Sequence, residues 1–207
     1  GTLSSYTNFQ ENPEIIDELI QLLKESYCNE MELTLLIGIF YNISNSQNDN
    51  VYPLNCIYTH LLKMAESNTP YRGLALSILA NNPLPSPNSR LSGRIFDLIP
   101  KFIEDGDIYG KVAVGKLLTK ISQNELYLKV ANQKSFESLI NSSIIKTKNV
   151  NVLISLCEAV ISLEYELTQE SLNYLSSYIL SPNVSTENAN KMRFLQNKFR
   201  TSLKTAF

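Results

Sequence analysis

Clusters of apolar residues return along this chain about every 40 residues, in two interleaved series. The first runs through Leu19, Leu61, Ile99, Leu139 and Leu175, at separations of 42, 38, 40 and 36 residues. Between them lie Phe40, Leu79, Leu118 and Val160, separated by 39, 39 and 42. Around each anchor the apolar residues sit three and four apart, as in Ile16-Asp17-Glu18-Leu19-Ile20-Gln21-Leu22-Leu23. That is the period of an amphipathic α-helix, in which such residues share one face. A single pair of these helices leaves its apolar stripe uncovered, so each pair must stack on the next. The two series therefore predict one all-α repeat domain over residues 1–207, with about four helix pairs.

Local signals agree with helices. Glycine occurs only 7 times, and no Asn-Gly or Asp-Gly hairpin signal separates alternating runs. Helix starts are predicted at Asn12-Pro13-Glu14, Pro53, Thr69-Pro70, Thr168-Gln169-Glu170 and Ser185-Thr186-Glu187, where a polar cap, a first-turn proline or an early acid occurs. Asp105-Gly106-Asp107 reads as a helix stop followed by a new cap. Residues 1–12 and the proline-rich stretch 83–91 read as loops. Pro100 falls inside a predicted helix and predicts either a kink or a late start there. From Thr186 onward, Met192, Leu195, Phe199 and Leu203 recur at helical spacing among five cations, which predicts a terminal helix with a polar outer side or, as the alternative, a truncated repeat open to a partner helix or an acidic surface.

Charge and composition narrow the function classes. Asn and Ser make up more than a fifth of the chain and charged residues only 18%. The recurring Leu and Ile still set the sequence apart from disordered chains. A net charge of −2, with no basic cluster longer than two residues, leaves no footprint for nucleic acid. No apolar run approaches the ~18 residues of a membrane span, and the N-terminal Gly1-Thr2-Leu3-Ser4-Ser5 has no signal-peptide pattern. The absence of an initiating Met suggests a piece of a longer protein. Cys28, Cys56 and Cys157 lie far apart in apolar segments, which predicts buried free thiols and a cytoplasmic or nuclear setting.

Catalytic chemistry finds little support. His60 is the only histidine, and Cys56 stands one helical turn before it. A thiol beside an imidazole would be a nucleophile, but a core Cys beside an outward-facing His is the expectation. Zinc would need several clustered Cys or His ligands, and no glycine-rich phosphate loop follows a strand. The expectation is a non-enzyme without cofactor or metal. Most aromatic residues fall on buried repeat positions; Tyr6, Phe9, Tyr165 and Tyr174 fit less well and read as exposed contacts.

The residues from Val112 to Ile144 resemble an armadillo repeat. Lys116-Leu117-Leu118-Thr119-Lys120-Ile121 takes the place of the Gly-Ala-Leu-x-Asn-Leu pattern of that family's second helix. Ser122-Gln123-Asn124-Glu125-Leu126-Tyr127-Leu128-Lys129-Val130-Ala131 resembles the short first helix of the next repeat. Ser135-Phe136-Glu137-Ser138-Leu139-Ile140 stands where the family has Ala-Ile-Pro-x-Leu-Val, with Lys134 in place of the glycine that precedes it. Gly38-Ile39-Phe40-Tyr41-Asn42-Ile43 fits the second-helix pattern as well. Elsewhere the short first helix is missing or merged, as in HEAT pairs. The resemblance implies a right-handed α-α superhelix, an armadillo/HEAT-like solenoid, that acts as a scaffold binding a protein or peptide.

In such solenoids the third helices line the concave face. Carried onto this chain, that face comprises Asp17, Glu18, Gln21 and Lys24, then Thr59, His60 and Lys63. It continues through Asp97 and Lys101, Glu137 and Asn141, and Asn173 and Ser177. The surface is mixed in sign, so it implies a folded partner or a mixed peptide. Importin-type members hold basic peptides with a Trp/Asn ladder, and this chain has no Trp. The alternative implied role is a regulatory or chaperone-type adaptor beside a signalling, cytoskeletal or Hsp70-exchange module.

Overall fold

The computed structural model describes residues 13–24, 30–45, 54–134, 136–182 and 184–204. The loop expected over 1–12, the Asn12 cap, the helix start at Pro53, Tyr6, Phe9 and Cys28 lie outside the described residues. Those described form helices and turns, and no strand occurs among them. The chain divides into two compact units, Gly1–Leu98 and Ile99–Phe207.

The first unit holds α1 (Pro13–Lys24), α2 (Glu30–Asn45), α3 (Tyr58–Glu66), α4 (Arg72–Asn81) and the beginning of α5 (Arg90–Asp105). Leu19 and Leu61 fall on α1 and α3, Phe40 and Leu79 on α2 and α4, as the two apolar series require. Helix α4 packs against both α2 and α3, and Ala75, Leu76, Ile78, Leu79 and Ala80 are all buried. The chain turns after α4 on two polar clasps. Asn82 Nδ2 donates to the Ile78 carbonyl at 2.8 Å, and the Tyr58 hydroxyl donates to the Pro83 carbonyl at 2.5 Å.

Two starts in this unit differ from expectation. Helix α4 begins at Arg72, because Pro70 and Tyr71 form a turn in which Arg72 N–H donates to the Thr69 carbonyl at 3.2 Å. Helix α5 begins at Arg90, inside the stretch read as loop. Ser89 caps it, its Oγ accepting from Ser92 N–H at 3.2 Å. Cys56 is exposed, which corrects its expected burial. It lies in a 3-10 turn, Leu54–Ile57, whose three-residue period gives Ile57 the inward position.

Helix α5 continues from Arg90 to Asp105 through Pro100, so the late start is ruled out. Proline has no N–H for the Phe96 carbonyl. The boundary between the units, at Leu98 and Ile99, falls within that turn.

The second unit holds the end of α5, then α6 (Ile108–Ser122), α7 (Glu125–Lys134), α8 (Glu137–Lys146), α9 (Val150–Ser162), α10 (Gln169–Ile179) and α11 (Thr186–Lys204). Helices α6 and α9 lie along each other, and α9 also carries α8 and α11. The approach of α6 to α9 is set by Gly115. A Cβ there would overlap Ser155 Oγ and come within 2.6 Å of the Ser155 carbonyl carbon and oxygen. Ser155 Oγ in turn donates to the Val112 carbonyl at 2.9 Å, stitching the two helices at the same level.

Caps read from the sequence form as expected at Asp107, Thr168 and Ser185, each accepting from an N–H three residues on. Glu164 closes α9 with φ 57°, in the left-handed region usually given to glycine. Glu164 N–H reaches the Ile161 carbonyl at 3.3 Å and Tyr165 N–H the Val160 carbonyl at 3.0 Å. Tyr165 and Tyr174 are half-buried rather than free contacts. The Tyr174 hydroxyl donates to the Thr147 carbonyl at 2.5 Å.

Candidate functional site

The second unit contains a cleft of about 400 Å³ between α8 and the α5–α6 corner. Helix α8 buries Ile140 and Ile144 completely, and its adjoining edge, Leu139, Ser142, Ser143 and Lys146, forms one wall. Those four sit at spacings of three, four and seven, so a single helix face presents them. The opposite wall is Ile103, Glu104 and Asp105 from the last turn of α5, with Lys111 from the first turn of α6.

The corner is built by two small residues around one aromatic ring. Gly106 N–H donates to the Phe102 carbonyl at 3.0 Å and ends α5. Asp107 then caps α6, its Oδ1 accepting from Gly110 N–H at 2.7 Å. Gly110 lies flat against the Phe102 ring, where a Cβ would overlap Cδ1 and Cε1. This tight return places Lys111 on the same cleft as the α5 carboxylates. The cleft thus combines one apolar residue on each wall, Ile103 and Leu139, with charges of both signs. Ser143 adds a hydroxyl that is buried and without a hydrogen-bond partner.

None of the thirteen residues assigned to the concave face lines this cleft. Asp17, Glu18, Gln21 and Lys24 are exposed on α1, Thr59 and Lys63 on α3, and Asp97 on α5. His60 is half-buried on α3 with Nδ1 buried and unpartnered. In the second unit Lys101, Asn173 and Ser177 are exposed, and Glu137 is half-buried.

Asn141 does not face outward: it is 5% exposed. Its Oδ1 accepts from Thr168 N–H at 2.9 Å and from Ser171 Oγ at 2.8 Å. Its Nδ2 donates to the carbonyls of Glu137 at 3.1 Å and Glu166 at 3.0 Å. Glu137 joins the same clasp, Oε1 accepting from Glu166 N–H at 2.7 Å. The pair secures the approach to α10 and is committed to the fold.

The cleft residues escaped sequence reasoning for a simple reason. Leu139 reads as a core anchor, yet it is half-buried on the cleft wall. Glu104, Asp105 and Lys111 belong to a segment whose signals are those of a turn. The available pointer was Ser142 and Lys146, polar residues three and seven positions after Leu139 on one helix face.

Among the described residues no three His, Cys, Asp or Glu cluster as a metal would require. No helix among them is long and apolar enough to cross a membrane. Burial pushes the Cys157 thiol up to about 12, far from a reactive thiolate.

No protein-family model matches this chain, and no curated protein matches it. Among solved structures, a designed armadillo repeat protein in complex with the peptide (KR)4 superposes with a TM-score of 0.60. The likeness covers 96% of this chain and 89% of that chain, at 13% identity. The fold is armadillo-like. Within it, α1, α3, α5, α8 and α10 carry the first apolar series and α2, α4, α6 and α9 the second, as the repeat reading required. Helix α7, Glu125–Lys134, is the additional short helix expected over Ser122–Ala131, starting three residues later because Ser122 still belongs to α6.

Proposed function

We propose that this armadillo-like chain is a non-catalytic scaffold that holds a polypeptide segment, with the α8 cleft receiving one of its side chains. The observation that carries this reading is the cleft itself. It sets two apolar side chains, Ile103 and Leu139, among six polar or charged ones, which suits a polar segment that carries one apolar residue. About 400 Å³ suits one large side chain and its neighbours. Lys111 and Lys146 face it together with Glu104 and Asp105, so a segment of mixed charge with an apolar residue fits better than a wholly basic one. The designed neighbour's peptide, (KR)4, is of the latter kind.

Selection of random peptides displayed on phage against the intact chain tests the reading. Enriched peptides should combine an apolar residue with charges of both signs. Ser142→Trp, which fills the cleft, should weaken them by about tenfold or more in fluorescence anisotropy. Absence of enrichment, or equal binding to Ser142→Trp, would overturn it.

A further inference from the structure

The outer face of α11 combines cations with an exposed aromatic ring. Its inner side, Ala189, Met192, Leu195 and Phe199, is buried against α9 and α10. Gln196 Nε2 holds it to Ser176 Oγ at 2.6 Å. Phe194 on the opposite side is 60% exposed. Lys198 Nζ lies 4.9 Å from its ring centroid. Lys191 stands one turn to the other side, and the exposed Arg193 is steadied by Nη1 donating to Asn190 Oδ1 at 2.9 Å. Lys191, Phe194 and Lys198 follow at spacings of three and four, so they form one stripe on the helix.

Charge is distributed unevenly between this helix and the rest of the chain. Helix α11 carries Lys191, Arg193, Lys198, Arg200 and Lys204 against Glu187 alone, a net of +4. The whole chain carries −2, so all other residues together carry −6. Most of that −6 lies in residues 1–98, which carry −5, while residues 99–185 of the same unit as α11 carry −1, so the positive charge of the second unit is concentrated on this helix. A short segment within about 8–10 Å senses the helix chiefly.

We propose that the outer face of α11 docks an acidic, amphipathic segment of a partner protein. Its acids meet Lys191 and Lys198, about 10 Å apart along the axis, and an apolar residue between them covers Phe194. Two acids seven residues apart on a partner helix have this separation. The site is independent of the α8 cleft.

A fluorescein-labelled helical peptide with Glu at i and i+7 flanking a Leu is the probe. Its Lys-for-Glu counterpart, single-stranded DNA and phosphatidylserine vesicles serve as comparisons. The intact chain should bind the acidic peptide, and Lys191→Glu/Lys198→Glu should weaken it by about tenfold or more, as should Phe194→Ser. The charge-reversed protein should gain binding to the Lys-bearing peptide, which a mere loss of folding would not produce. Ser142→Trp should leave this binding unchanged. Failure of the intact chain to bind the acidic peptide, a preference for DNA or vesicles, or equal binding by the variants would overturn the proposal.

Discussion

Replacement of Asn141 by Leu is the sharpest perturbation of the second unit. The two side chains are similar in size, so little cavity results, but all four hydrogen bonds of the amide disappear. The Glu137 carbonyl is of less concern, because it is one turn back on the same helix. Thr168 N–H and the Glu166 carbonyl lose their Asn141 partner at the exposed edge of the clasp, and the buried Ser171 hydroxyl loses one of its partners. An intramolecular hydrogen bond contributes about 0.5–1.5 kcal/mol net, so removing the four is expected to cost about 3 kcal/mol. For a chain of this size that corresponds to about 6–12 °C in Tm. Thr168 also caps α10, so loosening there should extend to the Ser171 end of that helix. Urea unfolding followed by circular dichroism reads the loss, with Asn173→Leu on the exposed face as the comparison, expected within about 0.5 kcal/mol of the parent. If Asn141→Leu were as stable as Asn173→Leu, the clasp would have no energetic content and Asn141 would revert to a surface residue.

Gly115→Ala should lower stability by about 1–3 kcal/mol in the same assay, because the new methyl meets Ser155 backbone as well as its hydroxyl. Glu164→Gly should instead raise it by about 0.5–1 kcal/mol by relieving a left-handed non-glycine residue; an unchanged or lower midpoint would contradict the φ of 57°. In Cys28→Ser protein, a thiol reagent should modify the exposed Cys56 quickly and Cys157 only on unfolding, as mass spectrometry of timed samples would show. Stability should also fall in alkali. Cys157 ionises in the unfolded chain near 9 but in the folded one only near 12, so the unfolded state binds fewer protons between those values. The loss is about 1.4 kcal/mol per pH unit for that group, and Cys157→Ala should flatten the slope accordingly.

The helices were legible because their signal is local and repeated. Leu19, Leu61, Leu139 and Leu175 announce their helices through apolar neighbours three and four residues away. The terminal helix shows itself the same way through Met192, Leu195 and Phe199. Its start at Ser185, like that of α6 at Asp107, is written in a single capping residue. What escaped depends on residues distant in the chain. Asn141 is polar, and only the loop at Glu166–Thr168 turns its place into an interior one. Leu139 loses part of its cover because the corner built by Gly106 and Gly110 stands away from it. Cys56 is exposed because a 3-10 turn replaces the expected helical register. Periodicity specifies which face a helix buries, but the shape of the space between helices depends on how closely they approach.

The central claim is that the α8 cleft takes part in holding a polypeptide. Hydrogen–deuterium exchange of the intact chain, with and without a phage-selected peptide, tests it most directly. Added protection in residues 139–146 and 103–111, absent in Ser142→Trp, is the predicted result. Protection confined to other helices, and retained in Ser142→Trp, would contradict it.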